Sequence, residues 1–327
     1  MPERPRRSAP IGDWHAIETL TPRLLRGWQL PQPSENGDKE SRGRVLVVAG
    51  SAELPGTAIL ASNAALRAGA GKLRIATVQS MAAAIGVAVP EARVYALPET
   101  ESSGIDPAAA GYVADLANDC QATLIGPGLV DPRAIEKLLT DLLPRLSSTA
   151  LVLDAEAMMA VTRCPDELYE LRCPVALTPH AGEMAGLMDD AKSAVLADLV
   201  GTARRAAARF RSIIVLKSAE SVIADPDGRI WRNRGGTVGL ATSGSGDTLS
   251  GIIAGLAARG TELAQAAAWG VFLHSRAGER LSANIGPLGF LARELLAEIP
   301  PLMAELGTPE RPPASRPEGS RRRGRRS

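Results

Sequence analysis

The segment with the clearest chemical content is Ser243–Asp247 (SGSGD), which runs directly into an apolar helical pattern. Small residues before a helix start leave several backbone N–H groups pointing at one spot, and the helix dipole strengthens this anion site. A carboxylate beside it can take the proton of a hydroxyl group that attacks a phosphoryl group. The segment therefore predicts phosphoryl transfer with Asp247 as general base. An aspartate that only caps the helix would leave the neighbouring small residues unexplained.

Further polar side chains follow other predicted strands. Asp154 ends one strand, His180 follows the next with Glu183 three residues later, and Lys217 ends a third. Ligands in open α/β sheets bind beyond the carboxyl ends of the strands, where these side chains lie. His180 is either a ligand contact or a cap of the following helix, which Glu183 would complete. Lys217 either meets a phosphate as a point charge or is solvated.

Two glycine-containing turns fit the same edge of the sheet. One follows a strand at Gly50 and leads into a helix near Thr57, and the other is Gly126-Pro127-Gly128 after a second strand. Glycine permits unusual backbone angles and the close approach of a ligand. Neither turn matches the dinucleotide fingerprint or the P-loop, so each is either a ligand contact or a plain turn.

The elements that position these residues alternate along the chain, which predicts a parallel sheet with helices on both faces. Continuous apolar strands, typical of a sheet covered on both sides, are predicted at Arg44–Ala49, Leu73–Thr77, Arg93–Ala96, Thr123–Ile125, Ala150–Leu153, Val175–Leu177 and Ser212–Leu216. Helices are predicted at Thr57–Ala68, Pro107–Ala117, Pro132–Leu143, His180–Met188 and Ser193–Phe210. A hairpin around Asp225–Gly228 then precedes three helices, at Asp247–Ala258, Thr261–Arg280 and Gly289–Ile299.

Length and composition limit the organisation. The chain has 327 residues with 45% hydrophobic and 22% charged side chains, which excludes a wholly disordered protein. We predict a flexible N-terminal segment (1–41), one domain (42–305) and a disordered arginine-rich tail (306–327). Aromatic residues make up 3%, which disfavours stacking of single-stranded nucleic acid.

The charge is unevenly distributed. Residues 311–327 hold seven Arg and one Glu, a net charge of +6, so the total of +1 leaves −5 for the rest of the chain. A body of that sign is not built to neutralise the phosphates of a duplex. The tail either keeps the protein in solution or recruits nucleic acid or another acidic partner.

Cellular context follows from cysteine usage and hydropathy. Three cysteines without a C-x-x-C spacing favour a reducing compartment over a disulfide framework. No apolar run approaches the roughly 20 residues of a membrane span, and no apolar region follows the charged N-terminus. We therefore predict a cytoplasmic protein without a membrane partner.

The motifs together resemble one family. Gly-Ser-Gly-Asp before an apolar helix, late in an α/β chain, resembles the ribokinase-like superfamily. The full ordered set is similar to the ADP-dependent NAD(P)H-hydrate dehydratase family over about residues 43–300. The segments that carry this resemblance are Gly50-Ser51, Pro55–Leu60, Ala68–Gly71, Gly126–Leu129, Leu153–Ala155, Thr178–Met184, Gly239–Thr242 and Ser243–Asp247.

The resemblance implies a ribokinase-like three-layer α/β/α sandwich with a mostly parallel central sheet. It implies removal of water from hydrated NADH and NADPH, with ADP or ATP as phosphoryl donor, Mg²⁺ without assigned protein ligands, and a homo-oligomer. Contacts to the hydrated nicotinamide nucleotide are implied for Ala58, Gly128, His180 and Asp247. Contacts to the adenine nucleotide are implied for Lys217, Ser218, Ala219, Glu220, Ser221 and Gly246.

One segment departs clearly from the family pattern, whereas His180–Glu183, Gly126–Val130 and Ser243–Asp247 differ from it mildly. The family usually has Lys-Gly-x-Gly-Thr where this chain has Lys217–Ser221 (KSAES), so two glycines are absent and Glu220 adds a negative charge beside the expected phosphate site. Two other functions stay open, one from the wider superfamily and one from this altered segment. The chain could be a ribokinase-like kinase of a small alcohol, such as hydroxyethylthiazole kinase, or a non-catalytic nucleotide-binding protein.

Overall fold

The computed structural model describes residues 16–32, 42–163 and 165–307. Ten strands of this part form a single sheet in the order β1-β10-β9-β8-β7-β6-β5-β2-β3-β4. The strands are β1 (Glu18–Thr19), β2 (Arg44–Val48), β3 (Lys72–Val78), β4 (Ala92–Leu97), β5 (Ala122–Ile125), β6 (Ala150–Leu153), β7 (Val175–Leu177), β8 (Ile213–Leu216), β9 (Ser221–Ala224) and β10 (Ile230–Asn233).

The sheet is parallel except around β9. The seven strands from β8 to β4 pair in parallel, with registers such as Val45↔Ala122 between β2 and β5. Strand β9 pairs antiparallel with both β8 and β10. The hairpin predicted around Asp225–Gly228 is confirmed. From β2 the chain continues to β3 and β4 on one side of the sheet, whereas β5 to β8 follow one another on the other side. The carboxyl ends of β2 and β5 are therefore the topological switch point.

Helices cover both faces of the sheet. They are α1 (Pro22–Gly27), α2 (Pro55–Arg67), α3 (Gln79–Ala88), α4 (Ala110–Asn118), α5 (Pro132–Leu142), α6 (Ala155–Ala160), α7 (Pro165–Glu170), α8 (Ala181–Met188), α9 (Lys192–Ala197), α10 (Leu199–Phe210), α11 (Ser245–Ala258), α12 (Leu263–Asn284) and α13 (Ala292–Gly307). Two separate apolar cores result, because each strand places alternate side chains on opposite faces of the sheet. One core includes residues of α2, α11, α12 and α13, and the other includes residues of α4, α5, α8 and α10. The predicted three-layer α/β/α sandwich is confirmed.

The N-terminus differs from the sequence-based expectation of a flexible segment before residue 42. Residues 16–32 contain β1 and α1, and β1 pairs in parallel with β10 through Glu18↔Trp231. Leu25 on α1 is fully buried, and the Trp28 carbonyl accepts a hydrogen bond from the Trp269 indole N–H at 3.0 Å. Partners more than 200 positions away stabilise this segment, so no local pattern could predict it. The rest of residues 1–41 and the tail from residue 308 lie outside the described residues.

Two helices end differently from their predictions. The helix predicted at Ser193–Phe210 is two helices, α9 and α10, since Asp198 between them caps α10 by accepting from the Gly201 amide at 2.8 Å. The last helix continues through Pro300 and Pro301 to Gly307 rather than ending at Ile299. Arg280 pairs with Glu298 and Glu305, which stand on either side of the two prolines. These ion pairs and the buried Leu302 and Leu306 stabilise the extension.

A close helix contact joins α2 and α11. A Cβ atom added at Gly251 would lie 2.3 Å from the Ala61 carbonyl oxygen, and one added at Gly255 would lie 2.4 Å from the Ala65 carbonyl oxygen. The backbones of the two helices therefore touch. Because both helices begin at the carboxyl edge of the sheet, this contact fixes their N-termini relative to each other. No helix among the described residues is both long and apolar enough to cross a membrane.

Candidate active site

Three neighbouring parallel strands deliver polar side chains to one spot. Asp154 follows β6, Thr178 and His180 follow β7, and Lys217 follows β8. His180 and Lys217 continue the parallel pairing of β7 and β8 by one isolated bridge, in which the Lys217 amide donates to the Pro179 carbonyl at 2.7 Å. Strands of similar length in register therefore bring together residues that are up to 63 positions apart in the chain.

Asp154 is the buried charge of this group. Its side chain is 3% exposed, and its Oδ1 accepts hydrogen bonds from Thr178 Oγ1 at 2.7 Å and from Lys217 Nζ at 3.3 Å. Lys217 Nζ also lies 3.9 Å from Glu183 Oε2. A buried carboxylate needs such partners, because loss of hydration otherwise disfavours its charged form. The ammonium group of Lys217 is thus held between two carboxylates, at the mouth of the site.

His180 caps helix α8, as the sequence allows. Its Nδ1 accepts hydrogen bonds from the Gly182 and Glu183 amides at 2.9 and 3.1 Å, and Glu183 Oε2 accepts from the His180 amide at 2.7 Å. A ring nitrogen that accepts two N–H groups carries no proton, so the hydrogen bonds assign the ring proton to Nε2. The side chain is 58% exposed and presents this Nε2–H as a donor.

Helix α11 contributes the anion site. Gly244 adopts a φ of 83°, and the first hydrogen bond of the helix runs from the Thr248 amide to the Gly244 carbonyl at 3.0 Å. The amides of Gly246 and Asp247 lie ahead of this bond, at the positive end of the helix dipole. A Cβ atom added at Gly246 would lie 3.4 Å from Lys217 Nζ. The start of α11 and the ends of strands β6 to β8 therefore meet at one point.

Asp247 is the carboxylate with the most altered acidity in this region. Burial is the main cause and the negative charge of Asp154 the second, and together they raise the pKa of Asp247 to about 6 against the opposing charge of Lys217. A carboxyl group with a pKa near neutrality is suited to accept a proton during catalysis and to release it afterwards. The carboxylate is a base above that pH.

A cavity of about 700 Å³ opens beside these groups. Six of the ten residues predicted to contact ligands line it: His180, Lys217, Ser218, Ala219, Ser221 and Gly246. Asp247 directly follows Gly246 and interacts electrostatically with Lys217. Residues 235–238 and 240–242 also line it, together with Val271, His274 and Ser275 of α12.

Glu220 does not line the cavity, although the sequence predicts that its charge lies beside the phosphate site. Its Oε1 lies 3.3 Å from Arg232 Nε and 3.0 Å from Arg234 Nε. These two cations of β10 and the loop after it neutralise the carboxylate. The negative charge that distinguishes the Lys217–Ser221 segment is thereby compensated outside the cavity.

Ala58 and Gly128 lie at the topological switch point rather than in the cavity wall. The Gly50 amide donates to the Pro127 carbonyl at 2.8 Å, which joins the two glycine-containing turns. Gly128 has a φ of 68°, and a Cβ atom there would lie 2.0 Å from Thr57 Oγ1. Ala58 is fully buried against Gly50. The turn geometry explains the glycines at 50 and 128, while the ligand contacts of Ala58 and Gly128 stay predictions.

Sequence reasoning missed several residues of the site. Its ligand set leaves out Asp154, although the position of this residue at a strand end was a usable signal. His274 and Ser275 carry no signal, because they lie inside a helix whose pattern reads as apolar. Among the described residues, no group of three or more His, Cys, Asp or Glu side chains could hold a metal ion on its own.

Replacing His180 with asparagine separates its two roles. Asparagine is a preferred N-cap, so the substituted side chain would keep accepting from the helix amides and the melting temperature should stay within about 3 °C. The Nε2–H donor would be lost. The affinity for the nicotinamide nucleotide that the resemblance implies for His180 should then fall about tenfold, as for one lost hydrogen bond to a charged group. Calorimetric titration and thermal unfolding measure the two effects. An unchanged ligand affinity would show that His180 acts as a cap alone.

Comparison with known proteins agrees with this geometry. The family model described as NAD(P)H-hydrate dehydratase matches residues 45–301. An ADP-dependent (S)-NAD(P)H-hydrate dehydratase of Xanthomonas campestris pv. campestris is 47% identical over 292 residues, which cover 89% of this chain and 97% of that protein. A bifunctional NAD(P)H-hydrate repair enzyme Nnr of Moorella thermoacetica is 37% identical, and the match covers 86% of this chain but 54% of that protein. This chain thus spans about half the length of such bifunctional relatives.

Solved structures give the same result. A Bacillus subtilis ADP/ATP-dependent NAD(P)H-hydrate dehydratase, co-crystallized with ATP/Mg²⁺, superposes with a TM-score of 0.76 at 29% identity and covers 89% of this chain and 99% of that one. A ribokinase-like superfamily protein of Enterococcus faecalis superposes with the same TM-score at 26% identity, covering 90% of this chain and 97% of that one. A hydroxyethylthiazole kinase of Pyrococcus horikoshii, with a TM-score of 0.54 at 17% identity over 80% of this chain and 89% of that one, shares the fold.

Proposed function

This chain belongs to the NAD(P)H-hydrate dehydratase family, and from that premise we propose that it is an ADP-dependent hydro-lyase that repairs hydrated NADH and NADPH. The observation that carries the proposal is the meeting of Lys217, the Gly246 amide and the Asp247 carboxylate at the edge of one cavity. This arrangement combines a cation, an anion site and a base, which are the groups that phosphoryl transfer to a hydroxyl requires.

Asp247 is the general base in this proposal. The hydrate carries a hydroxyl group on the ring carbon next to the ring nitrogen, and hydroxide is a poor leaving group. The ionised Asp247 carboxylate accepts the hydroxyl proton while the oxygen forms a bond to the terminal phosphorus of the nucleotide. The raised pKa of Asp247, about 6, supports this role because it brings the proton affinity of the carboxylate closer to that of the attacking oxygen.

Lys217 and the start of α11 hold the transferring group. The amides of Gly246 and Asp247 would donate to the transferring phosphoryl group as negative charge develops on it, and Lys217 Nζ lies close to Gly246. Lys217 is paired with Asp154 and Glu183, so its ammonium group is held in place before a ligand arrives. An ammonium that is already oriented needs little rearrangement to meet a phosphoryl oxygen.

The cavity beside Lys217 is the proposed nucleotide site. ADP, or ATP, would supply the phosphoryl group there. Ser218, Ala219 and Ser221 form one side of the cavity, and the apolar side chains of Leu240, Leu249 and Val271 offer a surface for an uncharged ring. A cavity of about 700 Å³ lies within the range of typical small-ligand sites.

The residues present fit Mg²⁺ that is carried by nucleotide phosphates rather than by the protein alone. Within the described ranges no three-residue ligand group exists, but Asp154 and Glu183 supply carboxylate oxygens beside Lys217. Mg²⁺ typically takes one or two carboxylates together with substrate phosphates and water. It would supply charge neutralisation for the phosphates, and Asp154 and Glu183 are the residues that would hold it.

Elimination completes the proposed reaction. The lone pair of the ring nitrogen expels phosphate, and loss of a proton from the neighbouring ring carbon restores the dihydropyridine. With ADP as donor the balance is hydrate plus ADP giving NADH or NADPH plus AMP and phosphate. The phosphorylated alcohol is thus an intermediate, whereas a small-alcohol kinase would release it as a stable product.

The experiment that tests the function follows the dihydronicotinamide absorbance. Purified NADH hydrate is incubated with the full-length protein and Mg²⁺, with ADP or ATP supplied separately. We expect recovery of absorbance that depends on the nucleotide, with one phosphate released for each NADH formed. A stable phosphate ester would instead identify a kinase, and tight nucleotide binding without turnover would identify a binding protein.

Two further expectations stay predictions from the sequence, namely a cytoplasmic location and assembly into a homo-oligomer. The arginines of residues 311–327 either keep the protein in solution or recruit nucleic acid or another acidic partner. Removing those residues should abolish any salt-sensitive binding of DNA if the tail is responsible.

A further inference from the structure

His274 is a buried histidine that the proposed reaction does not use. It lies on α12, is 8% exposed, and forms part of the cavity wall. Its Nε2 lies 3.0 Å from Ser245 Oγ and 3.1 Å from the Ser245 carbonyl oxygen. Ser245 is the first residue of α11 and directly precedes Gly246 and Asp247. The imidazole therefore contacts the residue that immediately precedes the Gly246 amide of the anion site and the base Asp247.

The ring is suited to a fixed, uncharged role. Burial lowers the pKa of His274 to about 4, so the imidazole carries no charge near neutral pH. An uncharged ring nitrogen can donate to the Ser245 carbonyl or accept from its hydroxyl. An uncharged ring also adds no positive charge that would compete with Lys217 for the ligand phosphates.

Other side chains of α12 hold the preceding loop in the same way. Ser275 Oγ accepts from Asn233 Nδ2 at 2.8 Å, and Glu279 Oε1 accepts from the Gly236 amide at 2.9 Å. A Cβ atom added at Gly278 would lie 2.6 Å from Leu240, so the helix backbone also packs against this loop. Helix α12 thus supports the whole connection from β10 to α11, and His274 is its last contact before Gly246.

We propose that His274 is a positioning residue for the transferring phosphoryl group. By holding Ser245 it fixes the direction of the Gly246 amide and of the Asp247 carboxylate. This inference rests on the proposed function for its effect on turnover. Its effect on the binding of a terminal phosphate depends only on the anion site at the start of α11.

The experiment compares His274→Leu with His274→Gln in the full-length protein. Leucine fills similar space without a polar atom, whereas a glutamine side chain can place its terminal amide near the position of Nε2. Affinities for ADP and AMP are measured by calorimetry in the presence of Mg²⁺, and kcat is measured with NADH hydrate. AMP lacks the terminal phosphoryl group, so it reports on the rest of the nucleotide site.

We expect His274→Leu to weaken ADP binding about fivefold and to lower kcat about tenfold, while AMP affinity changes less than twofold. His274→Gln should restore ADP affinity and kcat to within threefold of the unmodified protein. Equal losses of ADP and AMP affinity, or no loss of either, would overturn the proposal, as would a glutamine variant no better than leucine.

A second pair of variants keeps the test decisive if His274→Leu does not fold. Ser245→Ala removes the hydroxyl partner of His274. In the double variant with His274→Gln, the fold-loss of ADP affinity should be smaller than the product of the two single fold-losses. Fully independent effects would contradict the inference. If the unmodified protein binds ADP but recovers no NADH, the proposed function fails while the ADP-to-AMP comparison still decides the role of His274.

Discussion

Replacing Asp247 with asparagine is expected to lower kcat about a thousandfold, the typical contribution of a positioned general base. Asparagine has almost the same shape as aspartate but cannot accept the hydroxyl proton. The KM for the nucleotide should change little, because Lys217 and the Gly246 amide remain. Steady-state kinetics on NADH hydrate measure both quantities.

The pH dependence follows from the raised pKa of Asp247. Since the base must be ionised, kcat of the unmodified protein should fall as the pH drops below about 6. Stability should move in the opposite direction. The folded protein binds the Asp247 proton more tightly than the unfolded chain does, so this group costs stability above pH 6 and costs nothing below the ordinary pKa of 3.8.

Asp247→Asn should therefore unfold at a higher temperature than the unmodified protein at pH 8, and this gain should shrink as the pH is lowered through 6 toward 4. Asp115→Asn is the matched control, since Asp115 is exposed on α4. It should leave kcat unchanged. A kcat for Asp247→Asn within tenfold of normal would remove Asp247 from the role of general base.

The second large effect concerns stability at the contact between α2 and α11. Gly251→Val should lower the free energy of unfolding by about 3 kcal/mol, the upper part of the range for overpacked cores. The added Cβ would lie 2.3 Å from the Ala61 carbonyl oxygen and 2.8 Å from Ala64 Cβ. Neither backbone can yield without separating the helices. Denaturant unfolding monitored by circular dichroism gives the free energy.

Gly111→Ala on α4 is the control for this substitution. No atom lies within 4 Å of a Cβ atom at Gly111, so the alanine variant should gain up to about 1 kcal/mol from its higher helix propensity. Equal unfolding free energies for Gly251→Val and the unmodified protein would show that α2 and α11 can separate at no cost. The two helices would then not be fixed relative to each other.

Local patterns in the sequence account for most of the fold. Apolar β-branched runs predict strands β2 to β8, and the turn residues at Asp225–Gly228 predict the hairpin. Helix α3 was not predicted, because Gln79–Ala88 lacks an N-cap side chain and most of its small apolar residues are not buried. Strand β1 was not predicted either, since its two residues gain stability from β10, which is more than 200 positions away.

The site residues that could be predicted are those that lie at the end of a strand or at the start of a helix. Asp247, His180 and Lys217 each follow a strand or begin a helix, where ligands of α/β sheets bind. The pairing of Lys217 with Asp154 depends on the order of the strands in the sheet, and that order has no local signal. The compensation of Glu220 by Arg232 and Arg234 depends on the hairpin register in the same way.

The contact between Gly251 and Ala61 also determines where conformational change can occur. Helices α2 and α11 are therefore expected to move together, and this pair carries both Ala58 at the switch point and the base Asp247. A change in cavity shape is therefore expected in its other walls, such as the loop of residues 234–242, rather than between Ala58 and Asp247.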